Sequence, residues 1–413
     1  MGAADRARAR LVDGLRDSDR LCSAAVEEAF RAVPRHLFLP GLPLARAYAD
    51  EAVAVQAVDG VTTSSASQPS MMAIMLGQLD LRGGHRVLEI GAGTGYNAAL
   101  MQRIVGPGGR VVAVDIDTDL VDGAARHLAD AGVDGVELVC ADGALGYAPG
   151  APYDRIVLTV GSGDVRPEWV AQLAPGGRLL LPLALRGTQL SVALDLGPDG
   201  VLRSASINRC AFVRLRGVAA VPERGAEGGG LAVLPAGEGV PPEAADAALS
   251  APGSSFPAPI RIRAGDLWDG FGLWLALTEP GACRLLATRS DPDDSDLTTA
   301  EELLGLGPGH ATVGLLGTTA DGPGLAALVL DPRVDTGSRG PSSMRMQAFG
   351  PGGEAAIDRL RAACAAWEAA DRPTSANLRL TVVPVGRAVP PTTQSTVVVG
   401  KEHCRVLVEV TPP

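Results

Sequence analysis

The sequence has 413 residues, of which 46% are hydrophobic and 20% carry a charge, and its formal net charge is −11. This length and composition are typical of a globular chain with two domains. The acidic balance excludes a general nucleic-acid binder, which needs clustered cations to displace counterions from phosphates. No stretch approaches eighteen consecutive apolar residues and no secretory signal opens the chain, so we expect a cytoplasmic protein without a membrane partner.

The first third of the chain alternates between helical and polar patterns. Apolar spacing predicts a helix over residues 7–32, which Pro34 ends. The hydroxyl-rich run at residues 61–70 is predicted to be a loop over a bound cofactor, because each hydroxyl would need a partner inside a core. Helical spacing returns over residues 71–79.

The middle of the chain predicts an α/β fold with a doubly wound sheet, because short apolar runs alternate with helical segments. We place its main strands at residues 86–90, 110–115, 136–140, 155–160 and 178–182. Two antiparallel strands at residues 189–196 and 207–215 are expected to complete the sheet.

The remainder is predicted to contain a linker and a second domain. Residues 217–260 are rich in Gly, Pro, Ala and Glu and have no sustained period, which favours a linker or long loops. The pattern of residues 261–413 predicts an accessory α+β domain with a helix at 354–370, and we expect this domain to help recognise the peptide substrate. Its strands are expected near residues 259–263, 311–316, 324–330, 378–382, 397–399 and 406–410. The acidic run at residues 291–296 predicts a solvated loop.

The most informative stretch is Arg86-Val-Leu-Glu-Ile-Gly-Ala-Gly-Thr-Gly-Tyr96. Its apolar run stops at Gly91, and three alternating glycines then allow a tight turn against a bulky polar group before a helix begins near Asn97. Asp115 closes the next strand, about one βαβ unit later, where a carboxylate can accept hydrogen bonds from two ribose hydroxyls. The pattern therefore predicts a nucleotide-binding turn.

Acidic residues mark three successive strand ends, at Glu89, Asp115 and Asp142. Ligands of parallel sheets lie outside the carboxyl ends of the strands, so these side chains describe one crevice. A pyrophosphate prefers neutral or basic surroundings, whereas an amine, hydroxyls and a cationic centre suit this set. The spacing favours S-adenosyl-L-methionine over NAD, and an ordinary βα turn with unrelated acids remains the alternative.

Several ordered motifs resemble those of the protein-L-isoaspartate O-methyltransferases. They cover about residues 10–216 and are Val33-Pro-Arg35, Phe38-Leu-Pro40, Ala47-Tyr-Ala-Asp50, Ser67-Gln-Pro69, Val87-Leu-Glu-Ile-Gly-Ala-Gly-Thr-Gly-Tyr96, Asp142-Gly143 and Leu173-Ala-Pro-Gly-Gly177. The resemblance implies a Rossmann-like class I methyltransferase domain over residues 1–216. It also implies an enzyme that uses S-adenosyl-L-methionine, yields S-adenosyl-L-homocysteine and acts on an aspartyl-type carboxylate.

The resemblance assigns roles to Ser67, Gly91, Gly93, Asp115, Asp142 and Gly143, and the local sequence pattern adds the other candidate residues. Ser67 stands at the family's active-site serine, and we interpret it as a group that holds the acceptor carboxylate rather than as a nucleophile. The cofactor is expected to contact Gln68, Glu89, Gly91, Ala92, Gly93, Thr94, Asn97, Asp115, Ile116, Asp142, Gly143, Thr159 and Val160. The substrate is expected to contact Thr63, Ser65 and Ser67. Outside the family motifs, Trp268 and Trp274 are interpreted as an aromatic peptide-binding ledge, with a place in the core as the alternative. Six scattered cysteines without CxxC pairs predict no metal site.

Two departures from the repair enzymes direct the functional hypothesis. Ala66 precedes Ser67 where those enzymes usually have a β-branched residue, and the chain continues far beyond residue 216. Both features resemble the subfamily found with ribosomally made, modified peptides. We therefore predict methylation of an Asp side chain in a ribosomally made, cyclised precursor peptide, followed by aspartimide formation.

Two other functions remain open at this point. One is isoaspartyl repair by an enzyme with an accessory domain. The other is an inactive scaffold that binds S-adenosyl-L-methionine within a peptide-maturing complex. Methyl transfer to any peptide distinguishes an enzyme from such a scaffold.

Overall fold

The structure is a computed structural model that describes residues 2–58, 60–220, 226–228, 231–237, 243–249, 253–287, 304–306, 309–330, 341–393 and 395–411. Its strands form a ten-stranded sheet, a seven-stranded sheet and a separate hairpin within these ranges. The acidic run at residues 291–296 lies outside the described residues. None of the helices in the described ranges is long and apolar enough to cross a membrane.

The amino-terminal segment forms two helices where the sequence predicts one. They are α1 (Ala3–Asp17) and α2 (Ala24–Ala32), and a short α3 (Leu44–Ala47) follows. The break occurs where Asp19 adopts a φ of 59° and the side chain of Ser23 accepts a hydrogen bond from the Val26 amide, which caps α2. The two helices then pack their apolar faces into one core.

A two-stranded hairpin replaces the loop predicted at residues 61–70. Its strands are β1 (Val53–Val58) and β2 (Val61–Ala66), paired antiparallel. The prediction is wrong because β-branched Val and Thr favour extended backbone, and in the hairpin the side chains of Thr62, Thr63 and Ser65 stay at least partly exposed. The hydroxyl of Thr63 donates across the hairpin to the Gln56 side chain at 3.0 Å. Helix α4 (Pro69–Leu79) follows directly.

The ten-stranded sheet carries the nucleotide-binding turn. Its first seven strands are β3 (Arg86–Ile90), β4 (Arg110–Asp115), β5 (Val136–Cys140), β6 (Tyr153–Leu158), β7 (Leu173–Leu185), β8 (Thr188–Leu196) and β9 (Leu202–Arg209). Between them lie α5 (Tyr96–Val105), α6 (Thr118–Asp130) and α7 (Pro167–Gln172). Strands β3 to β7 are parallel in the order β5-β4-β3-β6-β7, and β8 and β9 continue antiparallel.

Alternation along the parallel strands builds a core on each face of this sheet. Val87 packs with the helices α1, α2, α4 and α5, whereas Leu88 packs with residues of α7 on the other face. The predicted strands agree with β3, β4 and β5 at both ends. The strand predicted at residues 207–215 is wrong, since β9 ends at Arg209 and the chain then leaves the sheet.

The seven-stranded sheet and its helices lie in the second half of the described chain. Its strands are β10 (Ala226–Gly228), β11 (Leu231–Pro235), β12 (Ser254–Ile262), β13 (Ala282–Ala287), β14 (Ala311–Thr319), β15 (Gly322–Leu330) and β16 (Ser342–Phe349). Its helices are α8 (Glu243–Leu249), α9 (Ala264–Asp266), a π-helical turn at Leu267–Phe271, α10 (Gly272–Thr278) and α11 (Gly353–Ala369). The stripe predicted for α11 is confirmed, because its four residues Ile357, Leu360, Cys364 and Trp367 are all buried.

The division of the chain differs from the predicted one in two respects. The predicted linker at residues 217–260 contains β10, β11, α8 and most of β12. The last strands, β17 (Leu378–Pro384), β18 (Val397–Gly400) and β19 (Cys404–Val410), join the ten-stranded sheet in the order β9-β17-β19-β18. Residues 261–413 therefore do not form a separate domain, since their end completes the sheet that begins with β3.

Candidate active site

The turn after β3 brings the backbone against the ends of β4 and β6. The amides of Gly91 and Ala92 both donate to the Val114 carbonyl, at 2.8 and 3.1 Å. Gly91 has a φ of 100°, and a Cβ there would lie 2.7 Å from Oγ1 of Thr159. That hydroxyl also donates to the Gly91 carbonyl at 2.6 Å. Only glycine fits this position, because both the backbone conformation and the neighbouring atoms exclude a side chain.

Asp115 lies at the end of β4 and is 8% exposed. Its carboxylate accepts a hydrogen bond from the Gly93 amide at 2.9 Å, which fixes its orientation toward the glycine turn. Burial raises the pKa of Asp115, and the Gly93 hydrogen bond opposes that shift. Arg216 approaches the same carboxylate at 3.9 Å. The carboxylate is therefore fixed at the pocket wall, where it can accept hydrogen bonds from a ligand.

Glu89 is fully buried one residue before the end of β3. Its Oε1 accepts a hydrogen bond from the side-chain amide of Asn97 at 2.8 Å, whereas its Oε2 has no hydrogen-bond partner among the described residues. Burial raises the pKa of Glu89 to about 8, against the opposing effect of the Asn97 hydrogen bond. A buried carboxylate oxygen without a partner is costly, so this site is suited to a cationic ligand group.

The hairpin forms the opposite wall of the pocket. Residues Thr63 to Ser67 all line it, and the hydroxyl of Ser67 makes no hydrogen bond to a residue that the structure describes. The carbonyl of Ser67 accepts a hydrogen bond from the guanidinium of Arg35 at 3.0 Å. The same guanidinium donates to the Ala47 carbonyl at 3.0 Å and stacks on Tyr96 at 5.1 Å. Arg35 is 1% exposed, so it connects three segments behind the pocket wall and fixes the backbone of Ser67.

Replacing Arg35 with Lys is expected to lower turnover by about tenfold, since a lysine cannot make these divergent contacts and one buried carbonyl loses its partner. Cofactor affinity is expected to stay close to that of the wild type, because the contacts of Arg35 position Ser67. Steady-state kinetics together with cofactor titration measure both effects. The exposed Arg46→Lys variant serves as the control, and an equal loss of cofactor affinity and turnover would contradict a positioning role.

Residues 212–216 form a third wall that the sequence did not predict. The segment is anchored by paired backbone hydrogen bonds to Gly161, from its amide to the Val213 carbonyl at 2.7 Å and from the Leu215 amide to its carbonyl at 2.9 Å. It crosses the crevice directly after β9 and lines the pocket from Phe212 to Arg216. The alternating pattern of this segment predicts a strand paired with β8. Its backbone pairs with Gly161 instead, and sequence alone does not show that partner.

Together these walls enclose a cavity of about 980 Å³, including the open space at its mouth. Eleven of the thirteen predicted cofactor residues line it, together with Thr63, Ser65 and Ser67. The remaining pocket residues were not among the predicted site residues, and they include Arg35, Ser64, Ala66, Met72, Tyr96, Leu120 and Phe212. Arg35 belongs to the Val-Pro-Arg motif, so the motif itself was the signal that could have identified it.

Two predicted cofactor residues do not line the pocket. Gln68 is exposed, and its side chain donates to the Asp50 carbonyl at 3.0 Å, because it precedes α4 on the outer side of the turn. Both carboxylate oxygens of Asp142 are already occupied, one by the Ala144 amide at 2.9 Å and one by the Val218 amide at 2.8 Å. Asp142 thus fixes the end of the segment that crosses the crevice.

The two tryptophans predicted to bind substrate lie outside this cavity. Trp268 and Trp274 pack against the core of the seven-stranded sheet, and the indole nitrogen of Trp274 is buried without a partner among the described residues. They are therefore not part of the pocket. In the described chain no group of three or more His, Cys, Asp or Glu side chains could hold a metal ion.

Comparison with known proteins identifies the family. The family model described as protein-L-isoaspartate(D-aspartate) O-methyltransferase matches residues 6–219. A protein-L-isoaspartate O-methyltransferase from Methanopyrus kandleri is 42% identical over 213 residues, which are 51% of this chain and 92% of that protein. The chain belongs to this family. It is an S-adenosyl-L-methionine-dependent protein carboxyl O-methyltransferase.

Two further comparisons show how much of the chain is similar to known proteins. The Thermotoga maritima protein-L-isoaspartate O-methyltransferase is 43% identical over 162 residues, which are 39% of this chain and 51% of that protein. A solved structure of a protein-L-isoaspartate O-methyltransferase shares the fold, with a TM-score of 0.50 at 23% identity. The match covers 91% of this chain and 96% of the chain in that structure. The shared fold therefore extends beyond residue 219, into the second half of this methyltransferase.

The residues of the pocket fit the cofactor of this family. The cradle at Gly91 leaves room for a ligand to approach the backbone, and Asp115 presents a carboxylate suited to hydroxyl groups. The unpartnered oxygen of Glu89 matches a positively charged group of S-adenosyl-L-methionine. The acidic surroundings that favoured this cofactor over NAD are thus present at two of the three predicted positions.

Proposed function

We propose that this methyltransferase esterifies the free carboxylate of an isoaspartyl residue in a polypeptide. The observation that carries the proposal is the hydroxyl of Ser67, which has no partner among the described residues and lies on the wall of a cofactor-compatible pocket in a chain of this family. Its relatives carry the corresponding name. The second half of the chain is compatible with this activity, since the solved structure of a protein-L-isoaspartate O-methyltransferase shares the fold over 91% of this chain.

A second candidate is the Asp side chain of a ribosomally made, modified peptide. The observation that favours it is local: Ala66 precedes Ser67, and the hydroxyls of Thr63, Ser64 and Ser65 line the adjoining wall. A small residue beside a polar wall leaves room for a constrained peptide that a bulkier side chain would hinder. The extension beyond residue 216 no longer distinguishes the two candidates.

The chemistry requires alignment more than proton transfer. When bound, S-adenosyl-L-methionine supplies a methyl group on a cationic sulfur. An aspartyl-type carboxyl group, whose pKa in an unperturbed peptide is about 4, is ionised near neutral pH, so the protein need not remove a proton from it. Ser67 can donate a hydrogen bond to one carboxylate oxygen and leave the other free to attack, and correct alignment can supply about 7–11 kcal/mol in well-oriented cases.

The product has its own reactivity. A methyl ester has a better leaving group than a carboxylate, so the backbone nitrogen of the next residue can attack the ester carbonyl and release methanol, which closes a five-membered imide. This step follows from the ester and requires no group of the protein. An isoaspartyl substrate and an Asp substrate both lead to such an imide, so the imide alone does not identify the substrate.

The test is a competition between matched peptides. The full chain is incubated with S-adenosyl-L-methionine, an isoaspartyl peptide, its normal aspartyl counterpart and a cyclised ribosomal precursor peptide, and the products are followed by intact mass. We expect addition of one methyl group to the isoaspartyl peptide, followed by loss of methanol. Methylation of the cyclised precursor alone would instead establish the second candidate.

Replacing Ser67 with Ala is expected to lower kcat/KM for the peptide by about tenfold to a hundredfold, the effect of losing one hydrogen bond to a charged group. Cofactor affinity should change little, because the hydroxyl faces the acceptor. The control is Ser70→Ala, a serine of α4 outside the pocket-lining set. Unchanged peptide kinetics in Ser67→Ala would remove Ser67 from the proposed mechanism.

A further inference from the structure

Two arginines from different sheets face the same indole ring. The guanidinium carbon of Arg284, on β13, lies 4.6 Å from the ring centroid of Trp268, and that of Arg209, at the end of β9, lies 5.9 Å from it. Trp268 belongs to the π-helical turn at Leu267–Phe271. Such turns occur frequently at functional sites. This set of three residues is called the Arg-Trp-Arg cluster below.

The positive charge of the cluster is not neutralised within the described chain. Neither Arg209 nor Arg284 forms an ion pair with any carboxylate that the structure describes, although the protein as a whole carries a net charge of −11. Arg284 instead donates to the Gly187 carbonyl at 3.2 Å. Burial lowers the pKa of Arg284, and the charge of Arg209 lowers it further.

Cation–π stacking alone contributes only modestly to the stability of this arrangement. A cation over an aromatic face contributes about 0.5–1 kcal/mol at exposed sites and about 2 kcal/mol when desolvated, and two like charges near one ring repel each other. A carboxylate between the two guanidinium groups would relieve that repulsion and accept charge-assisted hydrogen bonds from both. The cluster is therefore suited to an anionic group.

Arg209 lies at the same edge of the ten-stranded sheet as the active site. Strand β9 runs toward the edge where the parallel strands end, and its last residue pairs with Leu190 on β8. The Cys210 amide then donates to the Gln189 carbonyl, and the chain reaches the pocket wall at Phe212. Three residues span at most about 11 Å, so Arg209 lies within that distance of the pocket wall.

We propose that Arg209, Trp268 and Arg284 form a subsite for a side-chain carboxylate of the polypeptide substrate. An extended substrate would place this Asp or Glu about three to five residues from the methylated residue. The inference rests on the proposed function, because it requires a polypeptide in the adjoining pocket. It gives the second half of the chain a specific role in substrate selection, through Trp268 and Arg284.

The test uses the full chain and a set of isoaspartyl peptides. Each carries one Glu at two to six residues on either side of the isoaspartate, and a matched peptide carries Gln at the same position. We expect one Glu peptide to exceed its Gln partner by about tenfold in kcat/KM, mainly through KM. Arg209→Gln and Arg284→Gln should each bring this ratio close to one, with little change for the Gln peptides.

Two further variants separate charge recognition from general damage. Arg284→Lys should restore part of the preference, because it keeps the charge. Arg261→Gln alters an exposed arginine of β12 in the same seven-stranded sheet and should keep the full preference. Equal kinetics for all Glu and Gln peptides, or a preference that persists in both Arg→Gln variants, would overturn the subsite.

Direct binding separates this proposal from the assignment of the substrate. If the protein binds S-adenosyl-L-methionine but methylates none of the peptides, the proposed function fails. Fluorescence anisotropy of the labelled Glu peptides then still tests the subsite. Tighter binding to the wild type than to Arg209→Gln or Arg284→Gln supports it, and equal binding contradicts it.

Discussion

Replacing Glu89 with Gln is expected to lower the affinity for S-adenosyl-L-methionine by at least about tenfold, because the variant loses the negative charge that faces a cationic ligand. The wild-type affinity should rise with pH up to about 8, the pKa to which burial raises this carboxyl group. The affinity of the Gln variant should depend little on pH over that range. Calorimetric titration at about pH 6, 7 and 8.5 measures both trends.

The stability of the cofactor-free protein should change with pH in the opposite direction. The folded pKa of Glu89 exceeds its ordinary value of 4.5, so the folded state binds the proton more tightly than the unfolded state. This contribution to stability is complete below pH 4.5 and is lost as the pH rises toward and through about 8. Urea unfolding should show this decline in the wild type and its absence in Glu89→Gln.

The control for Glu89 is Glu51→Gln, an exposed glutamate outside the pocket. It should retain the wild-type affinity and its pH dependence. A Glu89→Gln protein that binds the cofactor as tightly as the wild type, with the same pH profile, would exclude Glu89 as the partner of the cationic group.

Deleting residues 378–413 is expected to abolish stable folding of the whole ten-stranded sheet. Leu378, Leu380 and Val408 lie in the same buried core as Leu88 and Ile90 of β3. Each fully buried aliphatic side chain contributes about 1.5–3 kcal/mol, and several such losses exceed the total stability of about 5–15 kcal/mol of a typical domain. Circular dichroism and urea unfolding of the purified proteins measure the effect.

The control for this deletion removes only residues 388–392, an exposed part of the connection between β17 and β18. It should fold and bind the cofactor. A cooperative unfolding transition in the protein that lacks residues 378–413, with normal cofactor affinity, would show that the last strands are dispensable. If the expected result is obtained, truncation cannot measure substrate recognition, and point variants of the Arg-Trp-Arg cluster are required instead.

Local sequence patterns were sufficient to predict the centre of the site. Strands β3, β4 and β5 are short, apolar and bounded by turn residues, so their limits could be predicted from neighbouring residues alone. The same holds for the glycine turn, where the backbone at Gly91 requires a residue without a side chain. Asp115 was predictable because one βαβ unit separates it from that turn.

Long-range pairing could not be predicted in the same way. The alternation of β17 indicates a strand but does not identify β9 as its neighbour, about 180 positions earlier in the chain. The burial of Arg35 depends on carbonyls contributed by Ala47 and Ser67. Asp142 has the sequence context of a cofactor ligand, but a Val218 amide from a distant segment occupies it. In each case the deciding partner is remote in sequence.

The central claim is carboxyl O-methylation in the crevice between the hairpin and the ends of β3, β4 and β6. The most direct measurement transfers a radiolabelled methyl group from S-adenosyl-L-methionine to an isoaspartyl peptide and then treats the product with mild base. A methyl ester releases its label as volatile methanol, and we expect this release with the wild-type protein and much less incorporation with Glu89→Gln. Label that stays on the peptide after base treatment, or no incorporation by a protein that binds the cofactor, would contradict the account.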